Sequence, residues 1–321
     1  MSSTKDYKLV SIVIPVYRNE GSLNELHKRL VKSLKDNYSN FEYEIIFVDD
    51  GSDDNSFIEL LAVREYDPHV TIIKLSKNFG QFAANNAGFH EARGDIVINM
   101  SADLQDPPEL IAPMINKILE GDDIVLCVRK KTSETLLKKL TSKLHYKLVR
   151  ISVPNYPKGG FDFWAVNKRA FAAFMSFKDI VRRNQIDLLS IGYKIGTIEY
   201  EKQERIHGRS QYNFFKRLNI SISQILASAF WPLRMASSFG ILFTVLGFSY
   251  ACYLFFSYFI RAAPFQGWTP IMMLILIIGG IIMTMLGIIG EYLWRIYFEI
   301  KQRPLFFVDK IIRSESNVNE D

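Results

Sequence analysis

Five short apolar runs, each closing on polar residues and each set apart from the next by a helical pattern, leave this chain few architectures. They are Val10–Val16, Tyr43–Val48, Val70–Leu75, Asp95–Met100 and Asp123–Val128. A helix is predicted from about Ser22, and an Ala-rich one follows Asn78-Phe79-Gly80. Strands that alternate with helices predict an α/β fold, a doubly wound and mostly parallel sheet with helices on both faces. Near-continuous apolar strands fit burial on both sides. No Gly-x-Gly-x-x-Gly follows the first strand and no Gly-x-x-x-x-Gly-Lys occurs, which excludes the common dinucleotide and P-loop signatures.

The second half of the chain changes character. Met235–Ile260 and Ile271–Leu293 are each long enough to cross about 30 Å of hydrocarbon at about 1.5 Å per residue. Lys216, Arg217 and Arg234 precede the first segment, Arg295, Lys301 and Arg303 follow the second, and only Arg261 lies between. That asymmetry predicts a membrane hairpin, 235–293, with both chain ends cytoplasmic. Gly240 and Gly247 share one face of the first span and Gly280 and Gly287 one face of the second, which suits close packing between spans and equally the general abundance of glycine in membrane helices. Before the hairpin, Phe214, Phe215, Leu218, Ile222, Ile225 and Leu226 recur at helical spacing, so 213–234 reads as an amphipathic helix in the lipid bilayer's interface. The expected division is a cytoplasmic domain 1–212, that helix, the hairpin, and a cytoplasmic tail 294–321. In the tail, Leu305–Ile312 reads as an apolar helical region packed on a neighbouring domain, and the polar residues from Ser314 as disordered.

Composition narrows the function. At 48% hydrophobic residues a sizeable core is possible. The net charge of +5 would suit nucleic acid or an anionic membrane, but there is no nucleic-acid motif and the basic residues form no single tract, so no nucleic-acid partner is expected. The first residues, Met1-Ser2-Ser3-Thr4-Lys5-Asp6, contain no apolar core of a secretory signal. Cys127 and Cys252 both sit in apolar runs and read as reduced, buried thiols rather than a bridge or a metal site.

The chemistry gathers where strands end. Pro15 to Glu20, Asp49-Asp50, Asn78, and Asp103 with Gln105 all fall at or just past strand carboxyl ends, which line one crevice in a doubly wound sheet. Carboxylates there can take ribose hydroxyls, a base N–H or a metal. Asp103 and Gln105 offer hard oxygen ligands for Mg²⁺ or Mn²⁺ on a diphosphate. Arg129, after the fifth strand, can meet a phosphate.

These residues carry a resemblance. Val13-Ile14-Pro15-Val16-Tyr17 with Asn19-Glu20, Val48-Asp49-Asp50-Gly51-Ser52, Asn78-Phe79-Gly80-Gln81, Ala102-Asp103-Leu104-Gln105-Asp106-Pro107-Pro108-Glu109, and Gly290-Glu291-Tyr292 with Arg295-Ile296-Tyr297 resemble the family 2 glycosyltransferases of the Rossmann-like GT-A fold. More narrowly, the chain is similar to the polyprenyl-phosphate glycosyltransferases, relatives of dolichol-phosphate mannose synthase, from about Ser11 to Arg313. The resemblance implies donor binding by Pro15, Tyr17, Glu20, Asp49, Asp50 and Asn78, a metal at Asp103 and Gln105, and phosphate contact at Arg129. It puts Asp162 near the acceptor side and Arg205, Ser210 and Tyr212 on a loop over the lipid phosphate, with Asp103, Arg129 and Arg205 as the catalytic set.

The implied activity is inverting transfer of a sugar from a nucleotide diphosphate sugar to a polyprenyl phosphate, undecaprenyl phosphate in bacteria. The product would be a lipid-linked sugar made at the cytoplasmic face of the inner membrane by a homo-oligomer. Three residues depart from the family pattern: Ser101 where an Asp is usual, Gln211 where a Lys or Arg is common, and Trp164 where an Arg is often seen. Ser101 still offers a neutral oxygen or a water-mediated contact. The departures leave one alternative, a non-catalytic membrane-anchored relative that binds a partner. A processive polysaccharide synthase ranks lower still, since that class usually carries a Gln-x-x-Arg-Trp segment and more spans and neither is present.

Overall fold

The structure, a computed structural model, describes residues 7–38, 41–130, 150, 156–157, 160–177, 184–203, 238, 245, 249, 256, 268–301 and 303–313. The chain forms two units, 1–213 together with 304–321, and 214–303.

The first unit is built on an eight-stranded sheet. Its strands are β1 (Leu9–Val16), β2 (Glu42–Asp49), β3 (Val70–Leu75), β4 (Ile96–Asn99), β5 (Ile124–Arg129), β6 (Trp164–Asn167), β7 (Ile195–Tyr200) and β8 (Val308–Ile312). They lie in the order β7-β5-β6-β4-β1-β2-β3-β8. β1, β2, β3 and β4 run parallel, as do β5 and β7. β6 is antiparallel to both β4 and β5, so the carboxyl ends of β1 to β5 and β7 share one edge with the amino end of β6.

Between the strands run α1 (Leu23–Asn37), α2 (Ser56–Tyr66), α3 (Gln81–Glu91), α4 (Ile111–Leu119), α5 (Lys168–Met175) and α6 (Asn184–Ser190). α1 forms because Leu23, Leu26, Leu30 and Leu34 make one apolar stripe, and all four are buried. Along β1 the side chains alternate between two cores: Val10, Ile12, Ile14 and Val16 face one, with residues of α1, α2 and α4. Val13 faces the other, with residues of α3, α5 and α6. Each buried aliphatic side chain contributes about 1.5–3 kcal/mol. α3 lies close on the sheet through Gly88, where a Cβ would come within 2.4 Å of Val13 Cγ1.

All five expected strands form, with ends shifted by one residue or so. Three strands, parallel β7 and antiparallel β6 and β8, did not stand out in the sequence. β6 is only four residues long. β8 corrects the reading of Leu305–Ile312 as a helical tail packed on a neighbour: Val308–Ile312 pairs antiparallel with β3 of its own sheet. Val308, Ile311 and Ile312 are β-branched, and the open edge of β3 offers them hydrogen-bonding partners.

The second unit contains α7 (Trp268–Ile300), 33 residues or about 50 Å. Ile271, Ile275, Ile282, Met283, Leu286 and Leu293 along it are exposed. Several of its positions carry no described side chain, and counted over the described residues alone no helix is long and apolar enough to cross a membrane. The interfacial helix 213–234, most of the first span and the tail from Ser314 lie outside the described residues, as do Cys252, Arg205, Ser210 and Tyr212.

Candidate active site

The shared edge of strand ends carries the described candidate site residues of the first unit. On the donor side, β1 runs out through Pro15 into Tyr17, whose N–H donates to Asn19 Oδ1 at 2.9 Å. Arg18 has φ +54°, a conformation uncommon outside glycine, and its fork holds Asp53 through Nε at 2.6 Å and Nη2 at 2.5 Å. Its guanidinium also lies 5.4 Å from the Tyr17 ring centre. Glu20 accepts from Asn55 Nδ2 at 2.7 Å, which ties this loop to the start of α2.

β2 delivers Asp49 and Asp50, both buried. Asp49 Oδ1 accepts the Ser52 N–H at 3.1 Å, and its Oδ2 has no partner among the described residues. Burial raises the Asp49 carboxyl above its ordinary range, opposed by Ser52. Asp50 is occupied differently from a free nucleotide ligand: Oδ1 accepts the Phe79 N–H at 2.7 Å and Oδ2 the Gly80 N–H at 2.8 Å. It therefore docks the end of β2 on the start of α3 and fixes exposed Asn78 beside it. Burial again raises its carboxyl, and those two N–H groups oppose the rise. Gly51 is required at this crossing, since with φ +65° its Cβ would lie 2.4 Å from the Lys77 carbonyl carbon.

After β4 comes the turn 101–106. Leu104 has φ +56° and a buried side chain, so core packing holds a backbone state that costs about 1–2 kcal/mol. The reversal sets half-buried Asp103 and Gln105 at the turn's tip, and Asp103 Oδ1 accepts the Gln105 N–H at 3.2 Å. Ser101, read as a possible weak ligand, is otherwise engaged: its hydroxyl donates to Asp106 Oδ2 at 3.0 Å. Among the described residues no three His, Cys, Asp or Glu side chains gather as a protein-made cation cage. One carboxylate and one amide fit a hard cation that takes its remaining ligands from a diphosphate and water, the usual way Mg²⁺ is held.

On the other side of the edge, Arg129 at the end of β5 donates through Nη2 to Asp162 Oδ2 and lies opposite Tyr200 in the pairing with β7. Its guanidinium stays charged: burial alone would lower it, but Asp162 and Tyr200 raise it further. Gln185 of α6 donates to Asp162 Oδ1 at 2.6 Å, and Asn99 Nδ2 to the Asp162 carbonyl at 2.9 Å. The expected phosphate contact of Arg129 and the acceptor-side Asp162 are thus bound to each other in this state. Sequence reading missed Asn99, Asp106, Gln185 and Tyr200. Asn99 lies in the expected fourth strand and Asp106 in the motif Ala102–Glu109, while Gln185 and Tyr200 sit in elements without any motif.

Comparison with known proteins gives the following. Residues 11–183 match the model of glycosyl transferase family 2, and residues 231–296 match the GtrB C-terminal hairpin. An uncharacterised glycosyltransferase, YkcC of Bacillus subtilis, is 38% identical over 94% of this chain and 93% of its own. An undecaprenyl-phosphate 4-deoxy-4-formamido-L-arabinose transferase of Pseudomonas savastanoi is 34% identical over 97% and 93%. The SfII prophage-derived bactoprenol glucosyl transferase of Shigella flexneri is 33% identical over 94% and 97%.

Proposed function

The chain belongs to glycosyl transferase family 2, and from that premise we propose that it moves a sugar from a nucleotide diphosphate sugar to a polyprenyl phosphate. The observation that carries the reading is likeness along nearly the whole chain, hairpin segment included, to transferases named for lipid phosphate acceptors. The strand-end edge supplies the matching chemistry. A lipid phosphate is already an anion, so no strong general base is needed to make the nucleophile. Its oxygen attacks the anomeric carbon from the face opposite the diphosphate, the bond to the diphosphate breaks, and the configuration inverts. Catalysis then rests on alignment and on charge stabilisation.

Each group has a task in this scheme. Asp49 and the Tyr17 to Glu20 loop meet the nucleoside, with the Asp49 oxygen that lacks a partner as an acceptor for a ribose hydroxyl or base N–H. Asp103 and Gln105 would hold Mg²⁺ or Mn²⁺, which neutralises charge on the leaving diphosphate. Arg129 exchanges Asp162 for the incoming phosphate, with Arg205, Ser210 and Tyr212 closing from the loop after β7. The hairpin 235–293 and the helix 213–234 anchor the domain at the inner membrane's cytoplasmic face, where lipid and soluble donor meet. The apolar length of α7 and the flanking Arg and Lys support this.

The deciding experiment uses purified protein in lipid, undecaprenyl phosphate and a panel of nucleotide sugars with Mn²⁺ or Mg²⁺. One donor yields a lipid-linked sugar, and chelation of the cation stops the reaction. Product formation that survives complete chelation removes the metal from the scheme; no product with any donor removes the transfer itself.

A further inference from the structure

A chain of buried and half-buried polar contacts joins the two halves of the site. Asp106 is completely buried, yet both of its oxygens accept hydroxyl donors: Ser101 Oγ at Oδ2 and the Tyr200 hydroxyl at Oδ1. Tyr200 in turn stands opposite Arg129 in the pairing of β5 with β7, and Arg129 binds Asp162. Two backbone bonds run alongside, from Gln203 N–H to the Gln105 carbonyl at 2.9 Å and from Lys130 N–H to the Tyr200 carbonyl at 2.8 Å. The turn bearing Asp103 and the strand end bearing Arg129 are therefore strapped to the same residue of β7.

We propose that Asp106 and Tyr200 are positioning residues that hold the metal turn and Arg129 in one register, so that the donor diphosphate and the acceptor phosphate meet at a fixed separation. The inference rests on the proposed transfer reaction for its catalytic meaning. Three features of the structure support it. A buried carboxylate is costly unless it is paired or hydrogen-bonded, and among the described residues its side-chain donors are two hydroxyls on elements of the site. Tyr200 donates its hydroxyl to Asp106 while its backbone pairs β7 with the end of β5 at Arg129, so one residue ties the turn to that strand end. The arrangement also accounts for Ser101: an aspartate there would set a second carboxylate against buried Asp106 at hydrogen-bond distance, two like charges in one dry site. Serine is thus the residue that lets Asp106 keep its hold on Tyr200.

The test compares Tyr200→Phe, Ser101→Asp and the double variant Ser101→Asp/Asp106→Asn with the wild-type full-length chain. Removing the Tyr200 oxygen leaves the ring in place. It should cut kcat for sugar transfer at least tenfold, with the KM for nucleotide sugar changed less than threefold. In the ligand-free protein it should speed amide exchange in 101–106 at least tenfold while β1 and β2 keep their protection. Ser101→Asp should lower kcat similarly, and the double variant should regain at least threefold over it, because one of the two facing charges is gone. A merely structural role would instead loosen exchange across the sheet and leave the kcat and KM split unchanged. Exchange in 101–106 that is unaltered by Tyr200→Phe overturns the proposal whether or not transfer is detected, and so does Ser101→Asp that transfers faster than wild type. Wild-type protein that makes no lipid-linked sugar overturns the functional reading alone, and the exchange measurement then still decides the coupling.

Discussion

Two aspartates show how far a carboxylate's surroundings decide its work. Asp103 stands half-buried at the tip of a turn and is the carboxylate that the proposed scheme gives to the metal, because Ser101 is turned to Asp106 and Asp106 is sealed in. Asp103→Asn should therefore abolish transfer, at least a hundredfold, with the thermal midpoint unchanged; turnover near wild type would place the cation elsewhere. Asp67 is buried at the opposite end of the sheet and serves stability. Its carboxylate accepts from the His27 ring at 2.7 Å, the His69 N–H at 3.0 Å and the Tyr43 hydroxyl at 3.2 Å. Burial pushes its pKa up, but these donors, His27 foremost, outweigh burial and hold it below the ordinary value. The folded pKa lies below the unfolded value of about 3.9, so this contribution is fully present above that pH and lost as pH falls through the folded value. Asp67→Asn should cost about 1–3 kcal/mol at pH 7. It should also flatten the acid limb of stability below about pH 4, measured by urea unfolding at stepped pH. A variant as steep in acid as wild type would assign that limb to other carboxylates.

At the scale of elements, legibility followed the length of the pattern. β1, β2 and β3 read clearly because apolar, mostly β-branched or aromatic residues dominate each run up to a turn. β6 did not, since four residues carry too little period to distinguish them from a loop, nor did β7, whose apolar residues are interrupted by Gly196, Thr197 and Glu199. β8 was misread because an isolated apolar segment near a chain end gives no sign of the edge it will join. In the site, Asp49, Asp103 and Gln105 were legible as polar groups at strand ends. Asp50 was legible in place but not in use, because its bonds to the N–H groups of Phe79 and Gly80 depend on how closely the turn at Gly51 crosses Lys77. Tyr200 was invisible for a similar reason: it meets Asp106 across 94 residues of chain. Gly88 offers a test of element packing. A methyl group there meets Val13 Cγ1 at 2.4 Å and Val48 Cγ2 at 3.0 Å, side chains on two central strands that have no space to retreat. Gly88→Ala should destabilise by about 1–3 kcal/mol despite alanine's better helix propensity. Exposed Gln81→Ala on the same helix should stay within about 0.5 kcal/mol. If Gly88→Ala is instead as stable as wild type, α3 does not ride on the sheet at this distance.

For the whole molecule, chain order bears on membrane topology. The chain leaves the sheet after β7, passes through 214–303, and returns to the same sheet as β8 on the outer edge of β3. Two strands of one sheet lie on one side of a membrane, so a segment between them that crosses must cross an even number of times. Two apolar stretches, Met235–Ile260 and Ile271–Leu293, meet that requirement, whereas one span followed by a surface helix would strand β8 on the wrong side. The charges agree, with basic residues outside the pair and only Arg261 between them. The prediction is that the short connection around Gln266 faces the exterior while both ends stay in the cytoplasm. Cys127 is buried and its thiol is pushed upward by burial, so it stays unreactive, and Cys252→Ser removes the other thiol. In that background Gln266→Cys should react with a membrane-impermeant maleimide on intact bacterial cells, and Ser3→Cys only after permeabilisation. Labelling of Ser3→Cys on intact cells, with Gln266→Cys protected, would invert the topology and place the donor site away from cytoplasmic nucleotide sugars. Protection of both in intact cells, with both labelled after opening, would mean that neither stretch crosses and that 214–303 lies along the inner surface.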